Sequence, residues 1–185
     1  RRRHTRYISV TGVKTCALPI LASWSQGETV LRCIRDNMAF MFGAQSKLEV
    51  IGKAGIKLPS DLFLRYPDLR LGTNDEGRKQ WTYAQRKERV SMHGAKCYQN
   101  TIQALARCVM GESMVRIAKK LPVVLTIHDA VYCLVPDKLV EKAAKFIVDE
   151  SKRAPAWAPG LPLDAEVGAG HSLAFKMTKL EEFKV

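Results

Sequence analysis

The segment VVLTIHDAVYCLVP, Val123–Pro136, constrains the fold of this chain more than any other. Its two runs rich in β-branched residues, Val123–Ile127 and Val131–Val135, predict strands, because such side chains fit a pleated sheet. The polar pair His128-Asp129 between the runs predicts a tight turn. Strands this apolar are expected in the middle of a sheet, where both faces are covered.

Other parts of the chain show the spacing of helices and of further short strands. Apolar residues three and four positions apart predict three helices, over Glu28–Ala44, His93–Lys120 and Asp137–Ser151. Shorter β-type runs predict a hairpin over Ile56–Tyr66 and strands at Trp81–Tyr83 and Leu163–Val167. Asp137 is expected to cap the third helix. Helices that alternate with hairpins indicate an α+β fold, whose antiparallel sheet carries the His128-Asp129 hairpin and is packed by long helices.

Asp129 lies at the apex of the predicted hairpin, and two interpretations of this acid stay open. Asp often caps a tight turn through its side-chain oxygen. Alternatively, it is a ligand for a hard cation, because Mg²⁺ takes one or two carboxylates together with substrate phosphates. His128 is either a polar turn residue or a donor to a phosphate or sugar. The histidines and cysteines share no metal-ligand spacing, so no zinc site is predicted.

A polar stripe is predicted along the helix over His93–Lys120. At 100° per residue, four polar side chains fall within a band of roughly 60°, and they are Lys96, Asn100, Gln103 and Arg107. The opposite, apolar face consists of Tyr98, Ile102, Leu105 and Val109. Two cations and two amides suit the phosphates and minor-groove base edges of a nucleic-acid duplex. A solvated helix face is the alternative.

The segment just before this helix is basic. Arg78–Lys96 carries six lysines and arginines and one acid, with Trp81 and Tyr83 between them. Cations interleaved with aromatic rings are typical of nucleic-acid surfaces, although a mobile basic loop has the same composition. The whole chain has 30 Lys and Arg against 18 Asp and Glu, a net charge of +12. This excess favours a polyanionic partner, with nucleic acid considered before a membrane.

Residues 1–20 contain five lysines and arginines and no acid. A transit peptide and a basic arm that binds nucleic acid both have this composition. The string RRRHTRYISVTGVKTCALPI also resembles a translated short-read sequencing adapter, so residues 1–20 are interpreted as a non-native segment and left out of the predicted fold. Residues 21–185 are then expected to be the C-terminal part of a longer protein.

Several stretches of residues 21–185 together resemble the C-terminal palm of family A DNA polymerases, the DNA polymerase I type, in its phage-like form. HGAKCYQNTIQALAR (His93–Arg107) resembles the family's helix, which has a Gly-Lys entry and a core of Asn, Gln-Ala and Arg. VVLTIHDAVYCLVP resembles its third polymerase motif, and LPLDAEVGAG (Leu161–Gly170) its final strand. IKLPSDLFLRY (Ile56–Tyr66) fits the hairpin that precedes them. The resemblance implies an antiparallel palm sheet.

The resemblance implies that Asp129 ligates the catalytic Mg²⁺ and that His128 lies near the primer terminus. The family usually has Glu after this Asp, whereas Ala130 follows it here. Two-metal phosphoryl transfer needs a second Asp, which comes from a strand well upstream in this family, as does the finger helix that binds the nucleotide. The chain by itself is therefore expected to be an inactive part of a DNA-directed DNA polymerase.

The same resemblance implies how DNA would be bound. Gln103 and Asn100 match amides that contact the primer–template minor groove, and Lys96 and Arg107 would support the DNA backbone. The expected partners are primer–template DNA and deoxynucleoside triphosphates, with no membrane. The protein is expected to be a monomer in the cytoplasm, that of the host if a phage encodes it. A non-catalytic nucleic-acid-binding module with a palm-like fold is the alternative.

Overall fold

The computed structural model describes residues 5–11, 20–43, 47–171 and 178–179. The α-helices of this part of the chain are α1 (Ile20–Arg35), α2 (Gly94–Ala118) and α3 (Val140–Lys152). Its strands are β1 (Thr5–Thr11), β2 (Ala39–Phe42), β3 (Leu48–Ile51), β4 (Ile56–Lys57), β5 (Phe63–Leu64), β6 (Arg70–Thr73), β7 (Lys79–Gln85), β8 (Glu88–Met92), β9 (Val123–Ile127), β10 (Ala130–Pro136), β11 (Glu166–Gly170) and β12 (Thr178–Lys179). The strand pairs are antiparallel, which confirms the α+β class.

The chain divides into two compact units. Unit 1 comprises Arg1–Cys16 and Val109–Val185, and unit 2 comprises Ala17–Cys108. Helix α2 begins in unit 2 and ends in unit 1. Each unit has its own sheet and its own buried core, so each is described by itself.

Unit 1 is a five-stranded sheet with the order β12-β11-β1-β10-β9. Its core joins the sheet to α3 and to the last turns of α2, and its buried members are Met110, Ile117, Val131, Cys133, Val135, Val140, Ala143, Ala144, Ile147 and Ala169. From Val131 onwards the buried residues of β10 alternate, and Val131, Cys133 and Val135 lie on one face of the strand. This face belongs to the core that the sheet shares with α2 and α3.

Residues Thr5–Thr11 form the middle strand of this sheet. Ile8 of β1 pairs with Cys133 on one side and with Ala169 on the other. The segment TRYISVT is rich in β-branched and aromatic residues, which have high strand propensity. Strand propensity accounts for the pairing whatever the origin of these residues. The interpretation of residues 1–20 as a non-native segment stays a prediction.

The expectation that both strands of the Val123–Pro136 segment lie in mid-sheet is wrong for β9. This strand is an edge of the described sheet, and the exposed fractions of Val124, Leu125 and Ile127 are 48%, 40% and 44%. In β10, by contrast, Val131, Cys133 and Val135 are at most 4% exposed. Hydrophobicity alone could not separate the two strands, because edge and central positions differ only in their tertiary neighbours.

Unit 2 contains α1, a four-stranded sheet of order β2-β3-β4-β5 and a three-stranded sheet of order β6-β7-β8. Its buried core is formed by Val30, Leu31, Cys33, Ile34, Phe42, Val50, Ile56, Tyr66, Leu69, Trp81, Met92 and Cys97. The hairpin predicted over Ile56–Tyr66 is confirmed, since Ile56 pairs with Leu64. The strand predicted at Trp81–Tyr83 is part of the longer β7.

The helix predicted over Glu28–Ala44 ends earlier than expected. α1 stops at Arg35, and Ala39–Phe42 is the strand β2. Asn37 has a φ of +58°, and the backbone N–H of Met38 donates to the carbonyl of Cys33 at 2.8 Å. Helices commonly end in this way, with an Asn or Gly in the left-handed conformation and a following backbone N–H that bonds to one of the last carbonyls of the helix. The chain then enters the sheet instead of continuing as helix.

The third helix and the last long strand also differ from the predicted bounds. Asp137–Leu139 forms a 3₁₀ turn, and Leu139 occupies the N-cap position of α3, so the expectation that Asp137 is the N-cap residue is wrong. The apolar face predicted for this helix is confirmed, because Val140, Ala143, Ala144 and Ile147 are all buried. β11 begins at Glu166, three positions after the predicted Leu163.

Candidate functional site: the acidic turn and the polar stripe

The acidic turn, His128-Asp129, joins β9 to β10 in unit 1. Ala130 pairs with Ile127, so His128 and Asp129 are the two residues that connect the strands. His128 has a φ of +51°, in the left-handed region where His is more tolerated than most side chains. Positive φ at the first residue of a two-residue turn matches the right-handed twist of the flanking strands. Both side chains are exposed.

The acidic turn supplies one carboxylate for a metal ion. Asp129 is exposed, so its carboxylate is accessible to water and to a ligand. Within the described ranges, no three His, Cys, Asp or Glu side chains lie together in a way that could hold a metal ion. The position after Asp129 is Ala130, which is 4% exposed and has no ligand atom. The acidic turn by itself therefore offers one carboxylate, and the residue next to it adds no second one.

The polar stripe lies in unit 2, on the first turns of α2. Gln103 and Arg107 are exposed, whereas Lys96 and Asn100 are half-buried. The ammonium of Lys96 donates to the backbone carbonyl of Ser91 at 3.3 Å. The four predicted residues thus share one helix, but only the second half of the stripe presents its side chains fully to solvent.

Asn100 makes a hydrogen bond that the sequence did not predict. Its Nδ2 donates to the hydroxyl oxygen of Tyr66 at 3.3 Å, and Tyr66 is 4% exposed. Burial raises the pKa of Tyr66 far above its ordinary range, and the neighbouring Cys97 thiol raises it further. The phenol is therefore neutral, and the amide of Asn100 is held against the core. Gln103 is the more accessible of the two amides.

The buried face of α2 differs from the predicted one. Within unit 2, Cys97, Thr101 and Cys108 are buried, while the predicted apolar residues Tyr98 and Ile102 are only half-buried. The hydroxyl of Thr101 donates to the carbonyl of Cys97 at 2.9 Å, so it is satisfied inside the helix. In unit 1 the helix buries Val109, as predicted, together with Met110, Ser113 and Ile117, which the predicted face did not include. A helix that buries different faces along its length has no single apolar stripe.

The N-terminus of α2 is held by Glu28 of α1. The two carboxylate oxygens of Glu28 accept from the backbone N–H of Gly94 at 2.6 Å and from Nε1 of Trp81 at 2.8 Å. A Cβ on Gly27 would collide with the carbonyl oxygen of Gly94, so only glycine allows this approach. A carboxylate beside the first N–H groups of a helix also interacts favourably with the positive end of the helix dipole. Sequence reasoning missed this contact, because no local pattern marks it.

The two aromatic residues of the basic segment pack in or against the core of unit 2, so their interleaving with cations in the sequence does not place open rings along the surface. Trp81 is 4% exposed, and Tyr83 packs against the core with its ring edge-on to Tyr66 at 5.3 Å. Their strand alternation directs both rings to the same side. Lys79 and the turn residues Arg86 and Lys87 are exposed, as a surface that attracts phosphates requires.

One cation of this segment is committed to an ion pair. Arg89 donates to Asp68 at 2.7 Å and to both oxygens of Thr82, at 3.1 Å and 3.0 Å. Hydrogen bonds from Arg70 and then Arg89 lower the pKa of Asp68 below its ordinary value. The positive charge available to a partner is thereby concentrated at Lys79, Arg86 and Lys87.

The thiols in the described residues are structural. Cys33, Cys97, Cys108 and Cys133 are buried and form no disulfide. Burial raises the pKa of Cys97 to about 12 and that of Cys133 to about 11. These thiols are protonated at neutral pH and therefore poor nucleophiles.

Comparison with known proteins leaves the family open. No protein-family model matches the chain, and no curated protein matches it. Among the helices of the described residues, none combines the length and the apolar character that crossing a membrane demands.

Proposed function

We propose that this chain is the C-terminal palm portion of a family A-type DNA polymerase. Its reaction would be template-directed nucleotidyl transfer, with primer–template DNA and deoxynucleoside triphosphates as partners, by a monomer in the cytoplasm. The observation that carries the proposal is the exposed carboxylate of Asp129 on a two-residue turn between paired strands. That arrangement offers an oxygen ligand to a hydrated metal–phosphate complex, which is how Mg²⁺ is commonly held.

The strand after the acidic turn supports this role by its rigidity. β10 is anchored by Val131, Cys133 and Val135, which lie in the core of unit 1. A catalytic ligand must keep its position to within a fraction of an ångström, and side chains placed on packed strands do so better than those on long loops. Asp129 thus combines an accessible carboxylate with a fixed backbone.

A second carboxylate would have to come from another strand. β1 runs antiparallel to β10. Because Val10 pairs with Val131, the C-terminal end of β1 lies beside the strand end that carries the acidic turn. Thr5–Thr11 contains no acid. In the intact polymerase, we expect a strand from further upstream to occupy this place and to end in Asp beside Asp129. Bound Mg²⁺ supplies Lewis-acid chemistry for phosphoryl transfer, and two carboxylates are the protein's usual contribution.

The polar stripe would hold the primer–template duplex. Gln103 is exposed and carries both a donor and an acceptor, which suit the acceptor groups that all base pairs present in the minor groove. Arg107 and Lys96 would neutralise phosphates on either side, and the second amide, Asn100, would bind through the part of its side chain not held by Tyr66. This mode of binding is independent of sequence, as a polymerase requires.

A non-catalytic nucleic-acid-binding module is the second candidate. Ala130 specifically favours it, because this residue is buried and stands where the resemblance expects a second acid. The basic surface at Lys79, Arg86 and Lys87 would serve such a module equally well, because phosphate attraction needs no metal.

Primer extension by the intact protein distinguishes the two candidates. The natural gene is recovered upstream of Leu21, the complete protein is expressed, and the extension of a labelled primer is measured with Mg²⁺ present. We expect Asp129→Asn to lower the extension rate by roughly 100-fold or more, since even residues that support metal ligands are worth 10–100-fold. Asp75→Asn is the matched control, because Asp75 is an exposed acid in another turn. Undiminished extension by Asp129→Asn would exclude this residue as a metal ligand.

Duplex binding tests the stripe separately from the chemistry. Gln103→Ala is expected to weaken primer–template affinity by roughly fivefold for every sequence, the value of about one hydrogen bond. Gln85→Ala, which removes an exposed amide from the end of β7, should leave the affinity unchanged. A loss confined to one base context would contradict the minor-groove role.

A further inference from the structure

Unit 2 contains a cavity of about 570 Å³ that the acidic turn and the polar stripe do not use. This volume lies within the range of small-molecule sites, which is roughly 300–1,000 Å³. The cavity is lined by α1, by the three-stranded sheet β6-β7-β8 and by His93 at the entrance to α2. None of its lining residues belongs to the polar stripe or to the acidic turn, so it offers a separate surface.

The floor of the cavity is apolar and crosses the sheet. Trp81 of β7 pairs with Leu71 of β6 and with Met92 of β8, so the three side chains form one row on the same face. Trp81 and Met92 are at most 4% exposed, and both are fixed in the core of unit 2. Leu71 is 38% exposed and supplies the open apolar surface of this row, whereas Trp81 and Met92 line the cavity with little exposed area.

The rim of the cavity is cationic. Arg32 of α1 and Lys79 of β7 are both exposed, and neither takes part in an ion pair among the described residues. Arg78 adds a third cation, which is paired at 3.3 Å with Glu76. Long cationic side chains around an apolar floor are suited to a ligand with an anionic group and a ring.

Glu28 is the one acid among the lining residues that the structure describes, and its carboxylate is bound within the protein. Both oxygens of Glu28 accept hydrogen bonds inside the protein, from Trp81 and from Gly94. These donors satisfy the carboxylate, and the guanidinium of Arg35 lies 5.3 Å from the centre of the Trp81 ring. The lining therefore keeps a positive balance, with three exposed cations against one internally bonded acid.

We propose that this cavity binds a nucleoside phosphate, with the phosphate at Arg32 and Lys79 and the nucleoside against Leu71, where it also meets the small exposed parts of Trp81 and Met92. The same chemistry is offered by a free mononucleotide and by one unpaired nucleotide of single-stranded DNA. Duplex DNA would present its bases stacked and paired, so it cannot enter the cavity in this way. The proposal does not depend on polymerase activity, because it requires neither Asp129 nor Gln103.

The test is a titration of the 185-residue chain followed by NMR at the indole Nε1–H of Trp81. dTMP, thymidine, inorganic phosphate and a short oligo(dT) are the four probes. We expect dTMP to shift the signal saturably with a dissociation constant near or below ~1 mM, and thymidine and phosphate each to bind more weakly. Lys79→Gln and Arg32→Gln should each lower the affinity for dTMP by roughly two- to fivefold, which is the value of an exposed charge pair.

Lys53→Gln is the matched control, because Lys53 is an exposed cation of the same unit that does not line the cavity. It should leave the affinity for dTMP unchanged. If oligo(dT) shifts the signal and dTMP does not, the ligand is a nucleotide within single-stranded DNA. Equal affinity for phosphate and dTMP, or no saturable shift with any probe, would overturn the proposal. The effect of Asp129→Asn on primer extension has no bearing on the binding of dTMP to this cavity. Either proposal can therefore be refuted while the other stands.

Discussion

Two hairpins of this protein end in turns of the same length but of opposite charge. His128-Asp129 joins β9 to β10, and Arg86-Lys87 joins β7 to β8. The first residue of each turn is left-handed, with φ values of +51° for His128 and +56° for Arg86. Strand twist explains the backbone in both cases, without any functional requirement. The chemistry of each turn therefore depends on its side chains and on how firmly its strands are held.

The strands behind the two turns are anchored differently. β10 enters the core directly after the acidic turn, because Ala130 and Val131 are both 4% exposed. Around the basic turn, Gln85 and Glu88 are exposed, and the nearest deeply buried anchor of β7 is Trp81. A metal ligand needs a fixed position, whereas attraction to phosphates acts over about a Debye length and tolerates motion. The comparison fits a catalytic acidic turn and a basic turn that only attracts DNA.

Removing the anchor of the basic hairpin should have the largest effect. Trp81→Ala is expected to lower the free energy of unfolding by about 3–5 kcal/mol, because a buried ring is lost and Glu28 loses a donor. Urea unfolding monitored by circular dichroism measures the change. Trp157→Ala is the control, since Trp157 also donates to a glutamate but is only half-buried, and it should cost less. Equal costs would contradict the anchoring role of Trp81.

Changing the first residue of each turn tests whether the two backbones are equivalent. Arg86→Val and His128→Val should each cost about 1–2 kcal/mol, because a β-branched side chain is strained in the left-handed region. Asn in either place should be close to neutral, since it tolerates this conformation. Lys87→Val is the control at a turn position without positive φ. If valine is tolerated at Arg86 but not at His128, the turns are not equivalent.

The charges of the two turns should act on different steps of the proposed reaction. The double substitution Arg86→Gln with Lys87→Gln is expected to weaken binding to DNA and to lower the salt dependence of the affinity by up to about 2 in log–log slope. Asp129→Asn should leave that slope unchanged, because it removes no cation. Fluorescence anisotropy at several NaCl concentrations measures both. An unchanged slope in the double variant would show that the basic turn does not touch phosphates.

The smallest effect is expected for the acid near the basic hairpin. Arg70 and Arg89 hold the pKa of Asp68 below 3.8, its ordinary value, so the folded state binds a proton less readily than the unfolded state. The resulting stability is fully present above pH 3.8 and is lost as the pH falls through the lower folded pKa. Asp68→Asn should remove this part of the acid sensitivity in urea midpoints measured below about pH 5. The contribution of Asp68 is small because its side chain is solvated.

Features that depend on neighbouring residues in the chain could be predicted from the sequence. The alternation of Val131, Cys133 and Val135 and the pair His128-Asp129 define strand and turn locally, and the structure has both. The helical spacing from Gly94 onwards likewise predicts α2 almost to its last residue. The residues of the acidic turn and of the polar stripe were therefore identifiable before any tertiary structure was known.

Features that depend on distant parts of the chain were decided only by the tertiary structure. Glu28 meets Gly94 across 66 positions, and Asn100 meets Tyr66 across 34, so no local pattern indicates either bond. The same is true of Trp81, whose ring enters the core although its sequence neighbours are cations. Burial is a property of three-dimensional packing. The chemistry of a side chain determines only how much free energy its burial would gain or cost. The sequence thus determined which side chains this protein has available, and the packing of each unit decided which of them remain available to a partner.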